Sequence, residues 1–217
     1  MTVTLKASSN LPTRFGTFDL HVFADKDGTE HMAVVMGKPA KNCLVRIHSE
    51  CATGDILGSW RCDCRDQLEL SLQKIYEAGN GMLIYMRGHE GRGIGLANKI
   101  KAYALQDKGL DTVDANVKLG FAPDQRDYSA AIGILKHYKL KQIKLLTNNR
   151  LKKQALEKAG IKVAEQVPLW AATNVYNDDY IETKRTRMGH IAPLNKTPLV
   201  NGSSNKASKK RVRVKGF

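Results

Sequence analysis

Gly16–Phe23 alternates polar and apolar residues, and His31–Met36 and Cys43–Ile47 are short apolar or β-branched runs set apart by Gly, Asp and Lys. This pattern predicts an N-terminal β-meander. From Cys64 the period lengthens: Cys64, Leu68, Leu72 and Ile75 share one helical face, and Gly79 stops the helix. Met82–Met86 is an unbroken apolar strand, followed by a glycine-rich loop over Arg87–Gly95. A helix is predicted from near Ile94 to about Asp107, with Ala97, Ile100, Ala104 and Leu105 inward and Gly109 closing it. Asp111–Asp127 has little periodicity and reads as loop with short helix. Beyond it come a helix over Ser129–Tyr138 and a strand over Gln142–Leu146. A turn at Thr147–Asn149 leads into a helix over Leu151–Ala159 that ends at Gly160, and Ile161–Val167 is the last strand. After Trp170 the chain is polar and no element is assigned. The predicted class is α/β, a mixed sheet with antiparallel N-terminal strands and C-terminal βα units.

Candidate chemistry concentrates in Arg46–Cys64, which holds three of the four cysteines. Cys62 and Cys64, one residue apart, turn their sulfurs to the same side of an extended segment, and Cys51 can return on a loop to meet them. A C-x10-C-x-C set is soft and suits Zn2+. Three protein ligands leave a fourth position for water or substrate, the catalytic arrangement. A fourth ligand from Cys43, His48 or a distant His would instead close a structural knuckle, and spacing leaves both open, along with plain thiols. Cys43, in an apolar run, reads as a small buried hydrophobe. In the loop after Met86, glycines 88, 91, 93 and 95 allow close backbone approach, while Arg87, Arg92 and a following helix N-terminus offer donors. Such a loop could cradle phosphate, although it matches neither Walker A nor GxGxxG.

Charge adds a preference for anions. With 35 Lys plus Arg against 21 Asp plus Glu, the chain carries a formal +14. Six cations between Lys206 and Phe217, with no acid, account for part of it and leave +8 elsewhere. That tail reads as a solvated, disordered appendage, with nucleic-acid binding a lesser alternative. At 42% hydrophobic the chain can bury a core; it has no apolar run of membrane-spanning length and no signal-peptide h-region, which predicts a cytoplasmic protein. Only 6% aromatic content disfavours base stacking as the main activity.

Several stretches in order resemble the GTP cyclohydrolase II family: LPTRFG at 11–16, RIHSECATGD at 46–55, RCDC at 61–64 and HEGRGIGL at 89–96. The resemblance continues through KAYALQD at 101–107, DTVDAN at 111–116, LGFAPDQRDY at 119–128, LLTNN at 145–149 and TKRTRMGH at 183–190. It implies one catalytic domain over 1–193 with a basic tail over 194–217, a homodimer, and a zinc-dependent hydrolase. The implied reaction opens the imidazole ring of GTP and releases formate and diphosphate, beginning riboflavin biosynthesis. Without the dihydroxybutanone-phosphate synthase domain that some relatives carry, bifunctionality is not expected.

The resemblance also implies roles. Cys51, Cys62 and Cys64 would hold the catalytic Zn2+. Arg46, His48, Ser49, Glu50 and Gln67 would contact the nucleotide, as would Glu90, Gly91 and Arg92, with Glu90 accepting donors of the guanine edge. Thr112, Thr147 and Lys152 complete the GTP contacts, and Mg2+ would share the triphosphate charge. Asp124 matches the family's proton acceptor, and Arg126 its nucleophile toward the α-phosphorus. Arginine is a poor nucleophile, so an electrostatic clamp on the leaving diphosphate is the simpler account of Arg126. Tyr103 matches a determinant of complete deformylation. Arg150 departs from the proline common at that position. A non-catalytic nucleotide-binding paralogue and a zinc-stabilised nucleic-acid-binding protein are the competing readings.

Overall fold

The computed structural model describes residues 2–122, 124–187 and 190. Its seven-stranded sheet comprises β1 (Thr4–Thr13), β2 (Gly16–Ala24), β3 (Glu30–Met36), β4 (Leu44–Ser49), β5 (Gly81–Met86), β6 (Gln142–Leu146) and β7 (Lys162–Val167), in the order β1-β2-β3-β5-β4-β6-β7. The first three strands and β5 pair antiparallel, whereas β5, β4, β6 and β7 run parallel. The predicted mixed α/β sheet is therefore present. The meander is shorter than predicted: Cys43–Ile47 does not follow β3 in it, because β5 lies between β3 and β4. The burial of β4 explains this. Val45, Arg46, Ile47 and His48 are all buried, the pattern of an interior parallel strand covered on both faces.

Six helices surround the sheet among the described residues: α1 (Cys64–Ala78), α2 (Leu96–Gln106), α3 (Thr112–Lys118), α4 (Ser129–His137), α5 (Arg150–Lys158) and α6 (Asp178–Arg187). One core joins Phe23, Val45, Ile47 and Ile84 of the sheet to Ile134 and Leu135 of α4 and Leu156 of α5. The opposite face packs Val34 and Leu83 against Ile75 of α1, with Leu68 and Leu72 beside it, as the predicted face requires. Alternation along β4 thus sends Val45 and Ile47 into the first core and Arg46 and His48 to the other face.

Three differences from the pattern have physical reasons. Strand β1 lacks an apolar face because it is a mostly solvated edge, defined by its pairing with β2. Helix α6 is polar and has almost no amphipathic pattern to read. Helix α2 is present but rotated from the prediction: Ala97, Ile100 and Ala104 are exposed and Leu105 only half-buried, while Lys99 and Ala102 are buried. No helix among the described residues is long and apolar enough to cross a membrane. The tail over 194–217 lies outside the described residues.

Candidate active site

Adjacent parallel strands β4 and β6 send their connections in opposite directions, α1 leading from β4 to β5 and α5 from β6 to β7. Beyond the carboxyl ends of such strands lies a crevice where α/β proteins place ligands. Here it is a cleft of about 1020 Å³ counted to its open mouth. Every sequence-predicted site residue lines it except Asp124, which stands behind Arg126.

At one end the three cysteines meet. Cys51 follows β4, a single π-helical turn over Ala52–Ile56 reverses the chain, and Cys62 and Cys64 lead into α1. The sulfurs all lie within 4.8 Å of one another, with Cys51 and Cys62 3.7 Å apart. A tetrahedral ion with Zn–S bonds of about 2.3 Å would set sulfurs about 3.8 Å apart, so the nest matches the size of a zinc site. No other His, Cys, Asp or Glu among the described residues joins the group. Cys43 is buried in the core, and the Nε2 of His48 is held by both Asp55 carboxylate oxygens at 3.1 Å. Hydrogen bonds from Cys62 and Cys64, with Lys99 beside it, pull Cys51 down toward thiolate, and the same exchange pushes Cys62 up to about 12. Ionising all three needs a cation among them, which is the chemistry of a metal-binding donor set.

Cations gather in the same cleft. Arg46, Lys152 and Lys184 are buried, and the Arg126 side chain is 11% exposed. Arg46 donates to Leu146 O and Gln67, and Lys152 donates to Ile47 O at 2.8 Å. Burial pulls Lys152 well below its ordinary value, and the charges of Arg46, Arg126 and Lys184 add to the effect. Burial likewise lowers Arg46 to about 10. Asp63 and Asp124 counter the group. Asp63 receives Lys184 at 2.7 Å and Asp124 takes Arg126 in a two-pronged pair at 2.8 and 2.5 Å. Burial raises the Asp124 pKa, but the Arg126 bonds and charge outweigh it and hold this carboxyl below its usual range. Burial works against the Arg126 charge, yet its bonds to Asp124 drive its pKa up, so it is firmly cationic. An incoming polyanion would satisfy this surplus.

The connecting wall departs from expectation in one respect. In the Glu90–Arg92 turn the amides of Arg92, Gly93 and Gly95 donate to the carbonyls of His89 and Glu90, so they are committed within the loop and do not form a phosphate cradle. Gly91, at φ 59°, has Ile94 where a Cβ would stand, and Arg92 is itself left-handed at φ 68°. Arg92 reaches Thr112 Oγ1, Thr147 caps the Asn149 amide, and Glu50 accepts the Gly88 amide. Ser49 receives Arg126 and faces His89, whose Nε2 donates to Asp127 O. Tyr103 stands near the thiols with its hydroxyl 3.4 Å from Thr53 and the Arg61 guanidinium over its ring.

Sequence reasoning missed Lys99, Asp55, Asp63, His89 and the α6 pair Tyr180 and Lys184, four of which line the cleft. A signal existed for Lys99, which shares a helical face with Tyr103 and Gln106 at i, i+4 and i+7. Lys184 stands in the TKRTRMGH stretch at 183–190, but nothing in that stretch names its partner, which is far away in the chain.

A soft thiol nest and a group of buried cations lining one switch-point cleft fit a metal-dependent enzyme that acts on a phosphorylated substrate. Residues 4–168 match the GTP cyclohydrolase II family model, and the chain belongs to that family. GTP cyclohydrolase-2 of Colwellia psychrerythraea is 51% identical over 193 residues, covering 88% of this chain and 95% of the relative. The Picrophilus torridus GTP cyclohydrolase-2 is 49% identical over 187 residues, covering 85% and 97%. The Aquifex aeolicus riboflavin biosynthesis protein RibBA is 50% identical over 188 residues, covering 85% of this chain but 46% of that longer protein.

Proposed function

We propose that this enzyme opens the imidazole ring of GTP, releasing formate and diphosphate and leaving 2,5-diamino-6-ribosylamino-4(3H)-pyrimidinone 5′-phosphate, the first step of riboflavin biosynthesis. The observation that carries the reading is the gathering of three thiols within 4.8 Å of one another in a cleft that buried cations also line. Cys51, Cys62 and Cys64 would hold Zn2+, which when bound supplies Lewis acidity and acidifies water at its open position.

The protein's own groups do the remaining work. Arg46, Lys152 and Arg126 bind the triphosphate, with Mg2+ sharing its charge. Thr112, Thr147, Arg92, Gly91, Ser49 and Gln67 shape that subsite. Glu90 reads the guanine edge: its oxygens already accept Lys99 and the Ala52 amide, and each keeps a lone pair. With Asp55 at its Nε2, His48 leaves Nδ1 without a partner among the described residues, and burial lowers its pKa against the pull of Asp55. Glu50 fixes the loop at Gly88. Arg126, paired by Asp124, clamps the departing diphosphate. The firm charge on Arg126 favours this over attack on the α-phosphorus. Tyr103, beside the thiols, directs complete deformylation.

Residues 1–193 would act as one catalytic domain in a cytoplasmic homodimer, and the exposed apolar side chains of Leu96, Ile100 and Val117 on α2 and α3 support a partner there. Incubation with GTP, Zn2+ and Mg2+ followed by mass analysis should give formate, diphosphate and the pyrimidine in equal amounts. GTP binding without formate would reduce the chain to a nucleotide-binding paralogue. Rapid-quench detection of a guanylylated protein would restore the nucleophilic role of Arg126.

A further inference from the structure

Lys99 is the most heavily engaged buried cation that the reaction above leaves without a task. Its residue is 8% exposed, yet its ammonium donates to three groups: Cys51 Sγ at 3.0 Å, Thr53 Oγ1 at 2.8 Å and Glu90 Oε1 at 2.6 Å. An ammonium has three protons, so the set is complete. The other Glu90 oxygen holds the Ala52 amide at 2.6 Å, next to Cys51. Thr53 in turn meets the Tyr103 hydroxyl. One lysine on α2 therefore joins the first thiol of the nest, the carboxylate assigned to the guanine edge, and the tyrosine assigned to deformylation.

Charge explains why a cation stands there. Three thiolates around a divalent ion carry a net negative charge, and Glu90 adds another in the same buried space. Uncompensated negative charge away from water is costly, and a carboxylate facing a thiolate set without an intervening cation would swing away. Lys99 lies between the two. Its N–H···S bond also withdraws electron density from the Cys51 sulfur, as partners of metal ligands commonly do.

We propose that Lys99 is a positioning residue that couples the metal-holding and base-reading halves of the site, setting metal affinity through Cys51 and the orientation of Glu90 through the same ammonium. The inference rests on the reading of the three thiols as metal ligands, and cobalt separates the two. If the wild-type protein binds no Co2+ with thiolate charge-transfer absorption, that reading of the site fails. If it does bind, the variants test Lys99.

Lys99→Met keeps the side-chain length and removes charge and donors. The expected result is metal affinity weakened tenfold or more in chelator competition, with the cobalt charge-transfer band moved to lower energy because the Cys51 sulfur loses its hydrogen bond. Ethylammonium added to Lys99→Ala should restore part of the affinity. Glu90→Gln keeps Lys99 in place and provides an independent reading should the lysine variants not fold. Freed from its carboxylate, the ammonium should bond Cys51 more strongly and move the band to higher energy, although Glu90 touches no cysteine. A folded Lys99→Met with metal affinity within twofold of wild type, or a band unmoved in Glu90→Gln, overturns the proposal.

Discussion

A Cβ built on Gly54 would stand 2.8 Å from Cys62 Sγ, 3.0 Å from Cys64 Cβ and 3.1 Å from Cys51 Sγ, so the π-turn can fold against the thiols only with a hydrogen there. Gly54→Ala should therefore push the sulfurs apart and lower bound zinc at least tenfold while circular dichroism stays close to wild type, a result read by metal analysis after gel filtration. A full complement of metal in that variant would mean that the nest tolerates expansion. Tyr103, packed beside the same sulfurs, is expected to govern the fate of the formyl group. Tyr103→Met should accumulate a formylated pyrimidine in the product spectrum, whereas unchanged products would remove it from that role. At this scale the sequence was highly legible: the cysteine spacing and the motif residues named the nest and most of the cleft. Asp55 and Asp63 were not, because their importance lies in what they hold, His48 with Tyr85 and Lys184 with Gln67.

Helix α6 is tied down at both ends of the cation scale. Lys184 and Asp63 form a pair with side chains 11% and 3% exposed, whereas Arg187, 43% exposed, reaches Asp111 and Asp114 across solvent. Removing one partner of a buried pair strands the other charge, so Lys184→Met should cost on the order of 3 kcal/mol in urea unfolding. Arg187→Ala should cost far less, because exposed pairs are weak and screened. Equal effects of the two changes would show that α6 does not seal Asp63 from water. The rotation of α2 belongs to this scale as well. Its apolar residues were legible as a stripe, but a stripe does not say what it will face, and here the polar stripe bearing Lys99 and Tyr103 turns to the cleft while Leu96 and Ile100 look outward.

Across the whole molecule, pH should report the buried imidazole. Burial, reinforced by the Arg126 and Lys152 charges, lowers His89 to about 4, against an unfolded value near 6.5. Below about pH 6.5 the unfolded chain takes up a proton that the folded chain refuses, so stability falls as pH drops toward 4, by roughly 3 kcal/mol from this group. Denaturant unfolding at pH 7 and pH 4.5 should show the loss, and His89→Gln should flatten it; an equal slope in the variant would assign the effect elsewhere. Binding has the opposite pH dependence. A polyphosphate beside Lys152 would draw its lowered pKa back up, so GTP affinity should fall as pH rises, checked by calorimetric titration at several pH values. The sequence by itself determined the alternating and helical segments, the α/β class and the thiol set, because periodicity and ligand spacing are local properties. The tertiary structure alone decided the insertion of β5 between β3 and β4, the closure by α6 and the gathering of cations into one cleft. The bonds that hold those cations span 100 residues from Arg46 to Leu146, 105 from Lys152 to Ile47 and 121 from Lys184 to Asp63. No local pattern encodes contacts at such separations; they arise when the parallel strands bring their carboxyl ends together.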